Sequence, residues 1–303
     1  MENLIENNTS SDRQDPGHLV FFSMLIVAAM GGALIGVMAI MVLGLVGGVQ
    51  PDQLFQIGST VDIGQRNLLR IANGVSHLFT FTIGPLVFAY YFFQKKVRQS
   101  IDLKNTVSGF YALMAFMIMV ASFPFVQLSY WLNRQLPLPE SFTTMEESAQ
   151  QMLDAILTMN SPMELILNLL VIGVLPAVGE EILFRGLVQK RLSKLFQSGH
   201  LAIWVAAFVF SAIHMQFEGF LPRMFLGAIL GYLFYYTKNL WVPIIGHLVF
   251  NAGQVLGQYF FAEKMAELEK SESIDPNYLL GVGSMIVVVG LLFQLRNRKA
   301  GSV

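Results

Sequence analysis

Apolar and polar positions alternate along this chain in long blocks and not in short strand-like or amphipathic periods. Runs of about 20 mostly apolar residues, the length a helix needs to span a bilayer, occur near 19–46, 75–93, 107–129, 162–196, 200–217, 221–236, 240–258 and 278–295. They predict an all-α, polytopic membrane protein of about eight transmembrane helices. The sixth run is the shortest. Between the third and fourth runs, Ser141–Ser161 has helical spacing instead: Thr144 and Glu147 stand as in a capping box, and Met152, Leu153, Ile156 and Leu157 fall on one face. That pattern predicts an amphipathic helix on the membrane surface. Residues 50–74 mix polar and apolar positions without a spanning run and predict a loop or interfacial segment.

The first run, Leu19–Val46, is longer than a signal-peptide core and lacks a small-x-small cleavage pattern, so it reads as a retained anchor after a polar tail, 1–18. The rest reads as a single transmembrane domain over 19–296 with a second tail, 297–303. Gly32/Gly36 and Gly227/Gly231 have the Gly-x-x-x-Gly spacing of close helix contacts.

Composition agrees with the block pattern. Apolar residues make up 54% and charged residues 13%, and the mean hydropathy is +0.56. The formal net charge of −1 offers no basic field for nucleic acid. With no cysteine, disulfides, thiolate catalysis and thiolate-bound zinc are excluded. Lys and Arg favour cytoplasmic loops. Eight spans with both termini cytoplasmic put Arg13, Lys95, Lys96, Arg98, Lys104, Lys190, Arg191, Lys194, Lys238, Arg296, Arg298 and Lys299 inside; Arg66, Arg70, Arg134, Arg223, Lys264 and Lys270 then lie outside. The expected location is a plasma membrane of bacterial inner-membrane type.

Ionisable residues within spans are costly and mark function by default. The fourth run contains Glu180-Glu181-Ile182-Leu183-Phe184-Arg185. Glu181 and Arg185, four apart, can pair on one helix face, whereas Glu180 points away and has no evident partner. An unpaired, desolvated carboxylate is the kind of group that serves as a general acid or base near neutrality. Phe210 and His214 follow in the fifth run, and His247 and Asn251, also four apart, in the seventh. Counting residues from the cytoplasmic ends puts Glu180 and His214 deeper than His247, so a kink or a tilt is expected to bring the seventh helix level, with Pro176, Gly173 and Gly179, and Pro243 as kink sites. His18, His77 and His200 lie at span ends or in the tail and read as interfacial. Zinc-peptidase His-Glu-x-x-His, serine-hydrolase Gly-x-Ser-x-Gly and phosphate-binding glycine loops are all missing.

Glu-Glu-x-x-x-Arg, then Phe-x-x-x-His, then His-x-x-x-Asn, in that order on separate spans, resembles the CAAX-protease and bacteriocin-processing family, which includes the eukaryotic type II CAAX prenyl endopeptidase. The likeness covers about residues 160–255. It implies an intramembrane glutamate-dependent endopeptidase with a site open to the cytoplasmic side. It further implies that Glu180 and His214 activate a water, that His247 and Asn251 stabilise the oxyanion, and that Glu181, Arg185 and Phe210 support them. The implied partners are membrane lipid and a peptide or lipid-anchored protein substrate. No cofactor is expected; zinc held by the Glu and His side chains is the alternative, disfavoured because Asn is a poor zinc ligand and adjacent glutamates diverge by about 100° on a helix. A non-catalytic immunity or chaperone-like membrane protein and a proton-coupled transporter are the readings from other classes. The transporter is opposed by the lack of matched interrupted helices in two halves.

Overall fold

The computed structural model describes residues 17–46, 62–137, 140–270 and 277–300, so most of the polar tail 1–18, part of the segment 50–74 and the last three residues lie outside the described chain. Among the described residues there are nine helices: α1 (His18–Val46), α2 (Ile63–Ser100), α3 (Gly109–Arg134), α4 (Glu140–Leu157), α5 (Pro162–Phe196), α6 (Gly199–Ala212), α7 (Phe220–Thr237), α8 (Trp241–Lys270) and α9 (Tyr278–Ala300). Five are long and apolar enough to cross a membrane: α1, α2, α3, α5 and α9. Three other expected spans are helices in the expected places but fall short of that standard. The α6 helix has 14 residues, α7 carries Arg223, and α8 carries His247, Asn251 and Gln254. Large apolar side chains such as Leu34, Ile286 and Val289 are more than half exposed on the outer faces, as lipid-facing residues of an integral membrane protein are.

Two local expectations need correction. Residues 63–74 are not a loop: Asp62 caps Gly64 and Gln65 through its carboxylate, and the helix begun there runs on into the span. The α4 helix is amphipathic as expected but starts at Glu140, so Thr144 lies inside it and caps nothing; Leu153, Ile156 and Leu157 turn inward while Met152 is exposed.

Lys190, Arg191 and Arg298 are anchored to residues of the α1, α2 and α3 ends nearest Asp102. Lys190 donates to Asp102 Oδ2 and to the Ser100 carbonyl, both at 2.6 Å; Arg298 covers the ring of Phe110, and Arg191 covers that of Phe21. Phe93, after which the helix breaks at Gln94 (φ 48°), is about 45 Å at 1.5 Å per residue from the end of α2 near Ile63, where Arg66 and Arg70 lie. There Glu164 Oε1 accepts from Arg66 Nε at 3.2 Å and Arg70 Nη1 at 2.7 Å, and Glu164 Oε2 accepts from the Asn160 N–H. Arg70 also donates to Asn67, Asn168 and the carbonyls of Ile156 and Thr158. This lock ties the C-terminal end of α4 to α2 and α5.

Replacing Arg70 with Met strands the Thr158 carbonyl and half-unpairs Glu164, and is expected to destabilise the protein by about 3–5 kcal/mol, read as a lowered unfolding midpoint in detergent. The absence of cysteine allows the two ends to be assigned directly. Cysteines placed singly at Gln99 and Asn160, both exposed, are expected to react with an impermeant maleimide from opposite faces of sealed vesicles.

Candidate active site

Both glutamates of the pair are buried, Glu180 at 5% exposure and Glu181 at 0%, and each finds a different set of partners. Glu181 Oε1 accepts from Arg185 Nη1 at 2.9 Å and lies 2.9 Å from His247 Nδ1. The i,i+4 pair expected from the sequence is therefore present, and it recruits α8. Arg185 reaches on to the Gly227 carbonyl at 2.8 Å, and one turn later Gln189 donates to the Gly231 carbonyl at 3.1 Å. The two glycines bring the α7 backbone within reach of these side chains: a Cβ at Gly227 would press on Phe210 and Ala207, and one at Gly231 on Ile203. Gly32 and Gly36 likewise face the α2 backbone at Phe79 and Ser76.

Glu180 is not unpartnered. His77, on α2, places Nε2 3.0 Å from Glu180 Oε1, and His247 Nε2 lies 3.8 Å from Glu180 Oε2. The interfacial reading of His77 is thus overturned; that of His200 agrees with its exposed position beside Tyr232. A signal was available in the sequence: Arg66, Arg70 and His77 recur at helical spacing on one face, visible once 63–74 is taken as part of the span.

Leveling of His247 with the glutamates needs no kink. Asp102 binds Lys190 through its carboxylate and accepts the Leu240 N–H at 3.0 Å through its carbonyl, so positions 190 and 240 are level. From there Glu181 is nine residues up α5 and His247 seven up α8, about 13 and 10 Å. Residues 190–196 project beyond this level, which is why counting from the end of the run misplaced the two helices. Pro243 sits in the first turn of α8, where its missing N–H costs nothing, and the break in α8 comes at Phe261 (φ −130°, ψ 28°).

The distortions that matter are wide π turns: Leu78–Ile83 in α2, and Leu169–Val174 and Ile182–Gln189 in α5. Two of them run straight into a proline segment, Gly84-Pro85 and Leu175-Pro176. Pro176 has no N–H to offer the Ile172 carbonyl four residues back, and Asn251 Nδ2 donates to that carbonyl at 2.9 Å. Asn251 therefore stitches α8, one helical turn beyond His247, to α5, eight residues before Glu180, with a second amide hydrogen remaining on the same nitrogen.

His214 lies not within a helix but in the turn just beyond α6. Its Nδ1 is 2.8 Å from the Phe210 carbonyl, which can only accept, so the proton is on Nδ1 and Nε2 is the basic nitrogen. The buried Phe210 ring stands edge-on to both His214 (5.1 Å) and His247 (6.2 Å), with the Arg185 guanidinium 5.1 Å from its centre. Met215 follows at φ 53°, a left-handed conformation uncommon for a side chain of this size. The loop is held in place by its neighbours: the Phe217 N–H donates to Glu146 at 2.6 Å, Asn133 Nδ2 to the Phe217 carbonyl at 2.6 Å, and Tyr130 to Glu218 at 3.2 Å. Arg223 bonds Gln216 through both its side chain and its carbonyl. Among the described residues, no group of three or more His, Asp or Glu side chains has an arrangement suited to a metal ion.

Residues 162–253 match the family model described as type II CAAX prenyl endopeptidase Rce1-like. The chain is similar to the uncharacterized protein YpbD of Bacillus subtilis (strain 168), at 29% identity over 89 residues, which is 28% of this chain and 42% of that protein. The chain thus spans less than half of that relative. No solved structure matches it.

The closest packing of α2 on α5 beside the site is at Gly179, where a Cβ would strike Thr82 Oγ1 and come within 3.2 Å of the Phe81 backbone. Gly179→Val is expected to push α2 away from α5 and lower stability by about 1–3 kcal/mol, as overpacking does, with loss of any activity that depends on Glu180; thermal unfolding and turnover measured on one preparation check both.

Proposed function

We propose that this chain, whose residues 162–253 match the Rce1-like type II CAAX prenyl endopeptidase family model, is an intramembrane endopeptidase that hydrolyses a peptide bond in a membrane-associated peptide or protein. The observation that carries this reading is the division of labour between the two glutamates. Glu181 is committed to Arg185 and His247, while among the described residues the ion-pair contacts of Glu180 are with the imidazoles of His77 and His247 and none is with a guanidinium or ammonium group.

Glu180 acts as the general base. A water within about 2.8 Å of both Glu180 Oε2 and His247 Nε2, ordinary hydrogen-bond distances, fits across their 3.8 Å separation with an angle near 90° at its oxygen. The water gives its proton to Glu180 as its oxygen adds to the scissile carbonyl. The carbonyl oxygen becomes an oxyanion, and Glu180 then returns the proton to the amide nitrogen as the C–N bond breaks. His214, whose Nδ1 is taken by the Phe210 carbonyl, presents its basic Nε2 to polarise the water. Oxyanion stabilisation falls to His247 and the remaining amide hydrogen of Asn251. Since Nδ1 of His247 is engaged with Glu181, His247 donates from Nε2 only as the imidazolium. Arg185 and Phe210 fix the positions of Glu181 and the two histidines.

The basic end faces the cytoplasm in this reading, and the chain resides in a bacterial plasma membrane. Peptides with and without lipid modification, presented in detergent or liposomes, test it. Wild type is expected to cleave a subset; Glu180→Gln is expected to lose about 10²–10⁴-fold in turnover, the usual worth of a general base, and His214→Ala to fall steeply as well. Chelator is expected to leave the wild-type rate unchanged. A chelator-sensitive rate restored by zinc would select the metal-dependent alternative, and full turnover in Glu180→Gln would sink the assignment of the base.

A further inference from the structure

His77 stands outside the matched segment 162–253 and outside every motif that carries the likeness. It nonetheless makes the shorter of the two polar contacts that Glu180 has among the described residues, 3.0 Å from Nε2 to Oε1. Its side chain is only 12% exposed, and its ring is stacked on Phe81, one turn later, at 4.6 Å and 22°. The orientation of the ring is thus fixed by its own helix. Its Nδ1 is buried without a partner. An orphaned lone pair is more readily tolerated in such a place than an orphaned N–H, which favours the tautomer with its single hydrogen on Nε2, directed at Glu180.

We propose that His77 is a positioning residue of the peptidase: it donates Nε2–H to Glu180 Oε1 and holds the carboxylate so that Oε2 is presented to the water and to His247. This rests on the peptidase reading of Glu180. It makes α2 part of the catalytic unit, and the close approach at Gly179 is the packing that sets the His77–Glu180 distance. The proline-associated π turn at Leu78–Ile83 begins at the next residue, so the backbone that bears His77 is shaped at that point. A charge-assisted hydrogen bond of this kind is worth roughly a 10- to 100-fold effect.

The test uses the full chain in detergent with an internally quenched peptide that the wild type cleaves. His77→Ala is expected to lower kcat about 10- to 100-fold with KM within about twofold. His77→Gln, whose amide can donate from nearly the same place, is expected to recover most of that loss. The two variants should unfold at the same temperature, and His77→Ala should add no further loss in a Glu180→Gln background. Infrared difference spectra give a readout independent of turnover, since the carboxylate band that disappears in Glu180→Gln should shift in His77→Ala. Wild-type kcat in His77→Ala with an unshifted band overturns the proposal, and so does an equal loss in Ala and Gln variants that tracks a lowered unfolding temperature. If Glu180→Gln itself cleaves at the wild-type rate, the peptidase reading falls and the role of His77 falls with it; Glu180→Gln alone reports that outcome.

Discussion

Two adjacent carboxylates buried in an apolar interior cannot be left to themselves, and the arrangement of helices around them follows from that cost. Neighbouring residues on a helix diverge by about 100°, so Glu180 and Glu181 present their carboxylates to different sides, and His247 lies near both only by turning one ring nitrogen to each. Glu181 draws Arg185 from its own helix and His247 from α8, while Glu180 draws His77 from α2. Arg185, itself buried, then needs a further acceptor and takes the Gly227 carbonyl of α7. Four helices are thereby tied to one pair of residues. Small residues stand where they must: Gly227 and Gly231 on α7, and Gly179 on α5, all at positions where a Cβ would meet a neighbour. In the membrane, where helix association has no hydrophobic drive of its own, close packing and interhelical hydrogen bonds are what remain to fix such a geometry.

The backbone contributes through its irregularities. A proline in a spanning helix leaves a carbonyl without its donor, and lipid offers no water to satisfy it. At Pro176 the cost is met by a wide turn and by Asn251, which means that the residue proposed as an oxyanion donor is also held in place by a structural bond. The same nitrogen can serve both roles because an amide has two hydrogens. Structural and chemical demands thus converge on Asn251, and the spacing of His247 and Asn251 on one helix face carries both.

The sequence made much of this legible. The positions of the apolar helices, five of them long enough to span, the Glu181–Arg185 pair and the two Gly-x-x-x-Gly contacts are all local in sequence and follow from hydropathy or helical spacing. His77 was missed because a hydropathy boundary near residue 75 cut α2 in two and hid its relation to Arg66 and Arg70. The levels of α5 and α8 were misjudged because they are set by Asp102, which lies in neither helix. The π turns, and the placement of His214 past the end of α6, depend on contacts between helices and have no local signature beyond the prolines nearby. The start of α4 at Glu140 escaped because Thr144 and Glu147 have the right spacing for a cap that the chain does not use.

Two buried polar clusters among the described residues, around Glu164 and around Glu180, differ in their degree of saturation. Around Glu164, every side-chain nitrogen of Arg70 has an acceptor and both carboxylate oxygens of Glu164 have donors. A cluster completed in this way holds the structure and has no capacity left for chemistry. Around Glu180 the accounts do not close: Glu181 Oε2, His77 Nδ1 and Thr82 Oγ1 are buried without partners, although buried polar atoms are nearly always paired. An incompletely satisfied cluster is less stable than a saturated one or an apolar core of the same volume. Its persistence here, at the meeting point of α2, α5 and α8, leaves hydrogen-bonding capacity around Glu180 that an entering water can take up, as the saturated cluster at Glu164 cannot.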